Sequence, residues 1–206
     1  LLSTTEYQSL AKSSLGALFG VSNIYYWFSI DYFSPESDHL PMLMTWSLGV
    51  EEQFYVFLPV VIVLGLRFFE KRIIAVLAAL CGLSFLSSIV LLGRAPSFVF
   101  YMLPTRAWEL GLGGMLAVAE LRGLAPLRDR RIFTEIVATL GLACLAAAIA
   151  LLDSSVPFPG ALALLPTLGA ALVIAAPGSV ASRLLSLRPI VFVGLVSYSW
   201  YLWHLP

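Results

Sequence analysis

The class of this protein is decided by residues 46–66, which read WSLGVEEQFYVFLPVVIVLGL. Two adjacent carboxylates, Glu51 and Glu52, stand directly before an apolar run that continues to Arg67. A membrane-spanning helix needs roughly 20 mostly apolar residues, and this run approaches that length. The stretch therefore predicts a membrane helix that carries two glutamates at its mouth.

The composition of the whole chain supports a membrane protein. Of its 206 residues, 60% are hydrophobic and only 12% are charged, whereas soluble domains contain about 25% charged residues. The formal net charge is zero, which gives no electrostatic reason to expect a nucleic-acid partner. Cys81 and Cys144 lie inside apolar runs without neighbouring His or acidic residues, so we expect them to pack between helices and predict no metal site.

The hydrophobic pattern predicts an all-α fold, a polytopic transmembrane helix bundle with about seven helices. The first segment is interrupted by polar residues, and the sixth is short and contains Pro166. The chain starts at Leu1 without an initiator methionine and stops within an apolar run, so we expect residues 1–206 to be part of a longer protein, truncated at both ends. The predicted segments are Leu10–Ile30, Glu52–Phe69, Ile73–Gly93, Phe98–Leu121, Ile132–Leu152, Gly160–Ala176 and Ile190–Pro206.

The basic residues predict the orientation of these helices. Loops 67–72, 121–131 and 177–189 lie on one side of the predicted bundle and contain nine Lys and Arg residues, whereas the loops on the other side contain only Arg94. Cytoplasmic loops of membrane proteins carry such an excess of positive charge. We therefore predict that the three basic loops are cytoplasmic and that residues 31–51 lie on the outer face.

Two charged residues are predicted inside the fourth segment. Arg106 and Glu109 are three positions apart, which places them on one helix face near the middle of the bilayer. A bare charge at that depth costs about 2.5–3.5 kcal/mol. They are expected either to neutralise each other as an internal ion pair or to line a polar channel for a substrate.

Glu51 and Glu52 open the second predicted segment. One glutamate in a first helical turn is explained by the positive end of the helix dipole. Two successive residues point about 100° apart, so at least one is expected to face neighbouring helices. Tyr55 can share a face with either, and a carboxylate beside a phenol in a partly apolar pocket could act as acid or base. Ser47 is a candidate N-cap.

The two histidines give weaker signals. His39 lies in a predicted outer loop among acidic residues. His204 lies among aromatic residues near the predicted outer end of the last segment, where it is expected either to anchor the helix at the interface or to take part in the site. The residues contain no Ser/His/Asp triad, Gly-rich phosphate loop or metal-spaced cluster.

Three stretches of the chain resemble acyltransferase family three, a family of integral-membrane O-acyltransferases. They are PMLMTWSLGVEEQFYVFLP at 41–59, LPTRAWELGLGGMLA at 103–117 and VGLVSYSWYLWHLP at 193–206. The most specific element is the S-L-x-x-E-E-x-x-Y core at 47–55. The resemblance extends from about Phe19 to the end, although residues 132–188 are weakly diagnostic. The motif sequences are most similar to those of family members that carry an extracytoplasmic SGNH hydrolase-type domain. Residues 1–206 do not include such a domain.

The resemblance implies transfer of an acyl group, typically acetyl, from cytoplasmic acyl-coenzyme A to a hydroxyl of an extracytoplasmic glycan. The expected acceptors are lipopolysaccharide O-antigen, exopolysaccharide or peptidoglycan, and the expected location is the bacterial cytoplasmic (inner) membrane, in contact with lipid. No bound cofactor is expected, because acyl-coenzyme A is a substrate. The family core has about ten helices, and residues 1–206 would be a partial membrane acyltransferase domain.

The resemblance also implies roles for particular residues. Glu52, Glu51 and Arg106 are expected to be catalytic, with Glu52 the preferred of the two glutamates. The family's essential histidine, expected upstream of Leu1, would be base or acyl carrier; a glutamate would orient it or the acceptor, and Arg106 would stabilise charge. Where many relatives have a second histidine this chain has Met44, which argues against a mechanism that needs one there. The expected substrate-binding residues are Tyr55, Glu109, Ser47, Trp46 and His204.

Two other classes of function remain open at this point. A secondary transporter also needs charged residues near the middle of the membrane, but often shows a repeat between its halves, and none is evident here. A passive membrane scaffold would tolerate apolar residues at Glu52, Arg106 and Glu109.

Overall fold

The fold is entirely helical in the part of the chain that the structure describes. The structure is a computed structural model and describes residues 4–29, 40, 42–124, 130–153 and 158–203, with backbone only at 4–6. This confirms the predicted all-α class. The α-helices are α1 Thr4–Leu18, α2 Ser22–Ser29, α3 Thr45–Phe69, α4 Ile73–Leu92, α5 Pro96–Tyr101, α6 Leu103–Leu121, α7 Arg131–Leu151, α8 Leu164–Ile174, α9 Val180–Leu185 and α10 Arg188–Trp203, with 3₁₀ turns at Glu70–Arg72 and Gly160–Ala163.

The distribution of polar and apolar residues is that of a bundle in lipid. Two described stretches, Thr45–Leu92 and Arg131–Leu151, contain helices long and apolar enough to cross a membrane. Only 22% of the most apolar window in each is buried within the protein. Large apolar side chains such as Phe57 and Ile149 lie on the surface, while Ser22 and Thr105 are fully buried and donate hydrogen bonds to backbone oxygens. Polar groups inside and apolar groups outside satisfy hydrogen bonds when the surroundings are hydrocarbon.

The first predicted segment is two helices, because the backbone turns at Gly20. Gly20 has φ +64°, a conformation that favours glycine. Its N–H donates to Ala17 O at 3.2 Å, and the N–H of Val21 donates to Gly16 O at 2.8 Å. This pair of bonds is a Schellman C-cap, which ends α1 and lets α2 start in a new direction.

The second predicted segment begins seven residues earlier than expected, at Thr45. The Thr45 hydroxyl donates to Met42 O at 2.7 Å, and the N-cap is Met44, without a side-chain bond. The prediction of Ser47 as N-cap is therefore wrong. Glu51 and Glu52 are the seventh and eighth residues of α3, beyond the first turn, so the dipole explanation for one of them is also wrong.

The fourth predicted segment is also two helices, α5 and α6, with extended backbone at Met102 between them. Pro104 contributes to the break because it has no N–H to donate to Phe100. The Thr105 hydroxyl donates to two carbonyl oxygens of the broken turn, at 3.0 and 2.8 Å. Irregular backbone is tolerated at membrane depth when it is buried in protein in this way. Arg106 therefore lies in the first turn of α6, not in the middle of one long helix.

The remaining segments differ from prediction mainly at their ends. The sixth is a 3₁₀ turn followed by α8, and the last helix starts at Arg188. Loop 177–189 contains the short helix α9, whose N-cap Ser179 accepts a bond from the N–H of Ser182 at 3.1 Å. A capped helix of six residues has too few apolar positions to be recognised from periodicity.

Contacts at one end of the bundle link two of the basic loops directly and connect the third to the start of α7. Arg122 Nη2 donates to Glu70 O at 2.6 Å, which links loops 67–72 and 121–131. Glu135, near the start of α7, accepts from the N–H of Val180 and lies 3.9 Å from Arg183 Nη2. These contacts agree with the prediction that the three loops share a side, while its cytoplasmic identity stays a prediction.

Helices α7 and α8 cross where two glycines meet. A Cβ atom added at Gly141 would lie 2.8 Å from the Gly169 carbonyl oxygen, and one at Gly169 would lie 3.0 Å from the Gly141 oxygen. We expect Gly141→Ala to lower stability by about 1–3 kcal/mol, because the opposing atom is backbone and cannot rotate away. Thermal unfolding of the purified protein in detergent measures this.

Gly113→Ala is the matched control for Gly141→Ala. Gly113 is also helical, but a Cβ there would meet nothing within 4 Å. Alanine at Gly113 is expected to leave stability unchanged or raise it by up to about 1 kcal/mol through helix propensity. Equal unfolding temperatures for the two variants would show that the α7–α8 crossing does not depend on Gly141.

Candidate active site

A cavity of about 670 Å³ lies between α3, α6 and α10. It occupies the ends of these helices that are opposite the basic loops. Its polar lining combines a carboxylate, an ion pair and several hydroxyls, while Leu48, Val50 and Leu110 supply apolar wall. Polar groups in a partly apolar concave site are typical of sites for small molecules. The other lining residues are Trp46, Ser47, Glu51, Arg106, Glu109, Ser197, Tyr198 and Tyr201.

Arg106 is held in the cavity wall by three kinds of contact. Its Nε and Nη2 donate to the two carboxylate oxygens of Glu109, at 3.2 and 2.8 Å. Its Nη1 donates to Phe100 O at 3.4 Å, and its guanidinium carbon lies 5.1 Å from the ring centre of Trp46. Arginine has five N–H donors, and these bonds use three. The guanidinium is thus oriented by protein and keeps donors for a ligand.

The Arg106–Glu109 pair forms the predicted ion pair and also faces the cavity, while its role toward a substrate stays a prediction. The side chains form an ion pair at 2.8 Å and keep 16% and 17% of their surface exposed. They also line the cavity. The ion pair engages both oxygens of Glu109, so Glu109 serves to orient Arg106.

The two adjacent glutamates point to different places, as their 100° separation predicts. Glu51 is partly buried and lines the cavity. Glu52 is exposed and lies against Gly20, where an added Cβ would collide with its carboxylate. Within the described residues, Glu51 has no ion-pair partner within 4.0 Å. The position in the cavity favours Glu51 as the catalytic glutamate, whereas the sequence favoured Glu52. The chemical role of each stays a prediction.

Ser47 and Trp46 both belong to the cavity. Ser47 Oγ lies 2.7 Å from the hydroxyl of Tyr201, which donates to Met44 O at 2.9 Å. These bonds attach α10 to the start of α3 and so close one side of the cavity. Trp46 is buried, and its ring packs 4.5 Å from that of Phe100 between centroids. The Trp46 ring therefore packs against one face of the Arg106 guanidinium.

Tyr55, like Glu52, does not line the cavity. Tyr55 is 61% exposed, and its ring contacts that of Phe54 on the outer side of α3. His204 lies outside the described residues, as does His39. Among the residues described, no three His, Cys, Asp or Glu side chains are placed to share a metal ion.

The structure adds residues that the sequence did not single out. Ser197, Tyr198 and Tyr201 bring α10 to the cavity, and their repeated hydroxyls in VSYSWYLW were a usable signal. Asn23 and Gln53 form an amide pair outside the cavity lining. The only indication of this pair in the sequence is that each is a polar residue beside an apolar stretch.

Comparisons with known proteins agree with these observations. A family model described as an acyltransferase domain matches residues 9–206. The chain is 30% identical over 212 residues to the peptidoglycan O-acetyltransferase OatA of Listeria monocytogenes, a match that covers 97% of this chain and 34% of that protein. It is 31% identical over 210 residues to the putative peptidoglycan O-acetyltransferase YrhL of Bacillus subtilis, covering 94% and 32% respectively.

A third relative has a less specific name. The O-acetyltransferase OatA of Staphylococcus aureus is 30% identical over 210 residues, which cover 96% of this chain and 34% of that protein. The chain thus spans about a third of the length of these relatives. No solved structure gives a significant match.

Proposed function

Because this chain belongs to acyltransferase family three, we propose that it is a membrane-embedded part of an O-acetyltransferase of the bacterial cell envelope. The proposed acceptor is a hydroxyl of peptidoglycan, because two relatives with matches over nearly the whole chain are named for that acceptor. The proposed donor is acetyl-coenzyme A on the cytoplasmic side. The family membership favours this enzyme over a secondary transporter or a scaffold.

The cavity between α3, α6 and α10 is the main support for this assignment. Attack of a hydroxyl on a thioester needs a group that takes up the hydroxyl proton and donors that stabilise the oxyanion. Glu51 supplies a carboxylate outside the ion pair, and Arg106 supplies fixed N–H donors. Both residues line one cavity, which supports assigning them these two roles.

The proposed step uses these two residues as follows. The glycan oxygen bonds to the acyl carbon, the carbon–sulfur bond breaks, and the thiolate of the donor leaves. Glu51 accepts the hydrogen bond of the attacking hydroxyl and takes up its proton. Arg106 donates to the oxygen that becomes negative, while Glu109 and Trp46 keep the guanidinium in place. This proposal makes Glu51, not Glu52, the proton acceptor.

The position of the cavity fits an acceptor outside the cell. It lies at the start of α3 and α6, at the end of the bundle away from Arg122 and Arg183. With those basic residues on the cytoplasmic side, a glycan on the outer face would reach Glu51 without crossing the membrane, and the proposal requires the thioester of the donor to enter the bundle from the cytoplasmic side to reach the same cavity. The inner-membrane location and the orientation are part of the proposal.

The proposal predicts base-labile acetyl esters on peptidoglycan that depend on the intact gene. Deletion should remove the acetate released from purified peptidoglycan by mild alkali, and complementation should restore it. The same alkali treatment of lipopolysaccharide and exopolysaccharide tests the other two acceptors. Unchanged ester content of all three glycans in the deletion strain would refute an O-acetyltransferase function.

A further inference from the structure

Behind the cavity, the side chains of Asn23 and Gln53 form a reciprocal amide pair. Gln53 Nε2 donates to Asn23 Oδ1 at 2.9 Å, and Asn23 Nδ2 lies 3.5 Å from Gln53 Oε1. Asn23 is fully buried, on α2, and Gln53 is partly buried, on α3. A buried amide pair of this kind specifies one relative placement of the two helices, because each amide loses its partner if either helix shifts.

Each amide also donates to a backbone oxygen at a helix break. Gln53 Nε2 lies 3.0 Å from the Gly20 oxygen, in the turn between α1 and α2. Asn23 Nδ2 lies 3.0 Å from the Tyr101 oxygen, at the end of α5. A carbonyl oxygen can only accept, so these two contacts fix which end of each amide is nitrogen. The pair therefore has one consistent arrangement.

In each case, the N–H that a continuous helix would direct to this oxygen is bonded to another carbonyl. The N–H of Ile24, which a continuous helix would direct to Gly20, donates to Val21 O at 3.1 Å. The N–H of Thr105, which would be directed to Tyr101, donates to Met102 O at 3.3 Å. An unpaired buried carbonyl in a membrane protein is costly. The amide pair thus satisfies both breaks at once.

The break at Tyr101 adjoins the contacts that orient Arg106. Phe100, one residue before, gives its oxygen to Arg106 Nη1 at 3.4 Å and its ring to the stack with Trp46. A hydrogen bond that fixes the Tyr101 carbonyl limits rotation of the adjoining peptide groups. The position of the Phe100 oxygen, and with it that of the Arg106 guanidinium, then depends on the amide of Asn23, which lies 78 positions from Tyr101 in the chain.

We propose that Asn23 and Gln53 are positioning residues of the acyl-transfer site, whose amide pair holds the backbone break before α6 and so sets the place of the Arg106 guanidinium. Neither side chain lines the cavity, so neither is a catalytic residue. This inference rests on the proposed function of Arg106. Displacing a catalytic group by about 1 Å can cost roughly 10²-fold in rate.

The test measures the initial rate of ester formation on peptidoglycan, per amount of membrane-inserted intact gene product. Gln53→Met keeps the length of the side chain and removes both donors, and is expected to lower the rate by about 10- to 100-fold. The exchanged variant Asn23→Gln with Gln53→Asn keeps two amides and their combined length, and is expected to recover at least part of the loss. Gln53→Glu, which keeps the shape and removes the amide N–H groups, replaces Gln53→Met if that variant does not insert.

Ser179→Ala is the matched control for a general loss of stability. Ser179 is also buried and bonded to backbone, but it caps α9 at the other end of the bundle. Removing a cap destabilises the protein without moving Arg106, so the rate per inserted molecule should stay within twofold or so of wild type. A loss equal to that of Gln53→Met would show that destabilisation explains both and would overturn the proposal.

A double-mutant cycle with Arg106→Ala separates this proposal from the function on which it rests. If the amide pair acts through the guanidinium, Gln53→Met should add little to the loss caused by Arg106→Ala. Fully additive losses, or a wild-type rate for Gln53→Met beside an impaired Arg106→Ala, would refute the positioning role alone. A wild-type rate for Arg106→Ala would refute the proposed role of Arg106 and the inference together.

Discussion

Replacing Arg106 with alanine is expected to lower the rate of ester formation by about 10²–10³-fold, the usual effect of removing one donor to a developing oxyanion. Three contacts orient the guanidinium before any substrate binds: the two oxygens of Glu109, the Phe100 carbonyl and the ring of Trp46. Arg106→Lys keeps the charge but not the planar fork, so we expect an intermediate rate. The measurement is the rate of acetyl-ester formation per inserted protein.

Loss of Arg106 also leaves the largely buried carboxylate of Glu109 without its ion-pair partner, and this would lower activity by destabilising the protein. The double variant Arg106→Leu with Glu109→Leu removes both charges and therefore this penalty. It is expected to insert well and remain inactive. Arg94→Ala, which removes an exposed arginine at the same end of the bundle, should keep the wild-type rate. Recovery of activity in the double leucine variant would show that Arg106 serves only to neutralise Glu109.

Glu51→Gln is expected to lower the same rate by about 10²–10⁴-fold, the range for loss of a general acid or base. The amide keeps the size of the side chain but cannot take up the proton of the attacking hydroxyl. Glu109 cannot replace it, because both of its oxygens are bonded to Arg106. Quantifying acetate released from peptidoglycan after induction of each variant measures the effect.

Two comparisons make the Glu51 prediction specific. Glu120→Gln changes an exposed glutamate at the far end of α6 and should have no effect on the rate. Glu52→Gln tests the assignment that the sequence favoured. A larger loss in Glu52→Gln than in Glu51→Gln would return the proton acceptor to Glu52 and refute the role drawn from the cavity.

Several features of the fold could be predicted from the sequence because they depend on local composition. The excess of apolar residues and the spacing of the runs predicted an all-helical bundle. The nine basic residues in three loops predicted that these loops lie on one side of the bundle. The contacts of Arg122 with Glu70 and of Glu135 with Arg183 agree with that prediction. The three-residue spacing of Arg106 and Glu109 made their ion pair one of the two arrangements expected. The amino-acid sequences of the three motifs were sufficient to identify the family.

The helix breaks could not be predicted, because each depends on partners distant in sequence. Periodicity runs through Gly20 and Met102, and either could have continued a helix or ended one. Each break is tolerated because a backbone oxygen there accepts a hydrogen bond from a distant side chain. Gln53 donates to the Gly20 oxygen and Asn23 donates to the Tyr101 oxygen. The start of α3 was missed for a related reason, since Trp46, Val50 and Phe54 mark a buried stripe through residues that resemble a loop.

The pair of glutamates within the motif at 47–55 separates what the sequence determined from what the tertiary structure decided. The sequence by itself determined that residues 46–66 enter a membrane, and that Glu51 and Glu52 must face different surroundings, because neighbouring helix positions differ by about 100°. Only the tertiary structure decided that Glu51 lines the same cavity as Arg106 while Glu52 lies against Gly20. The reason is that the rotation of α3 about its axis is set by packing against α2, α4 and α6, which no local pattern encodes.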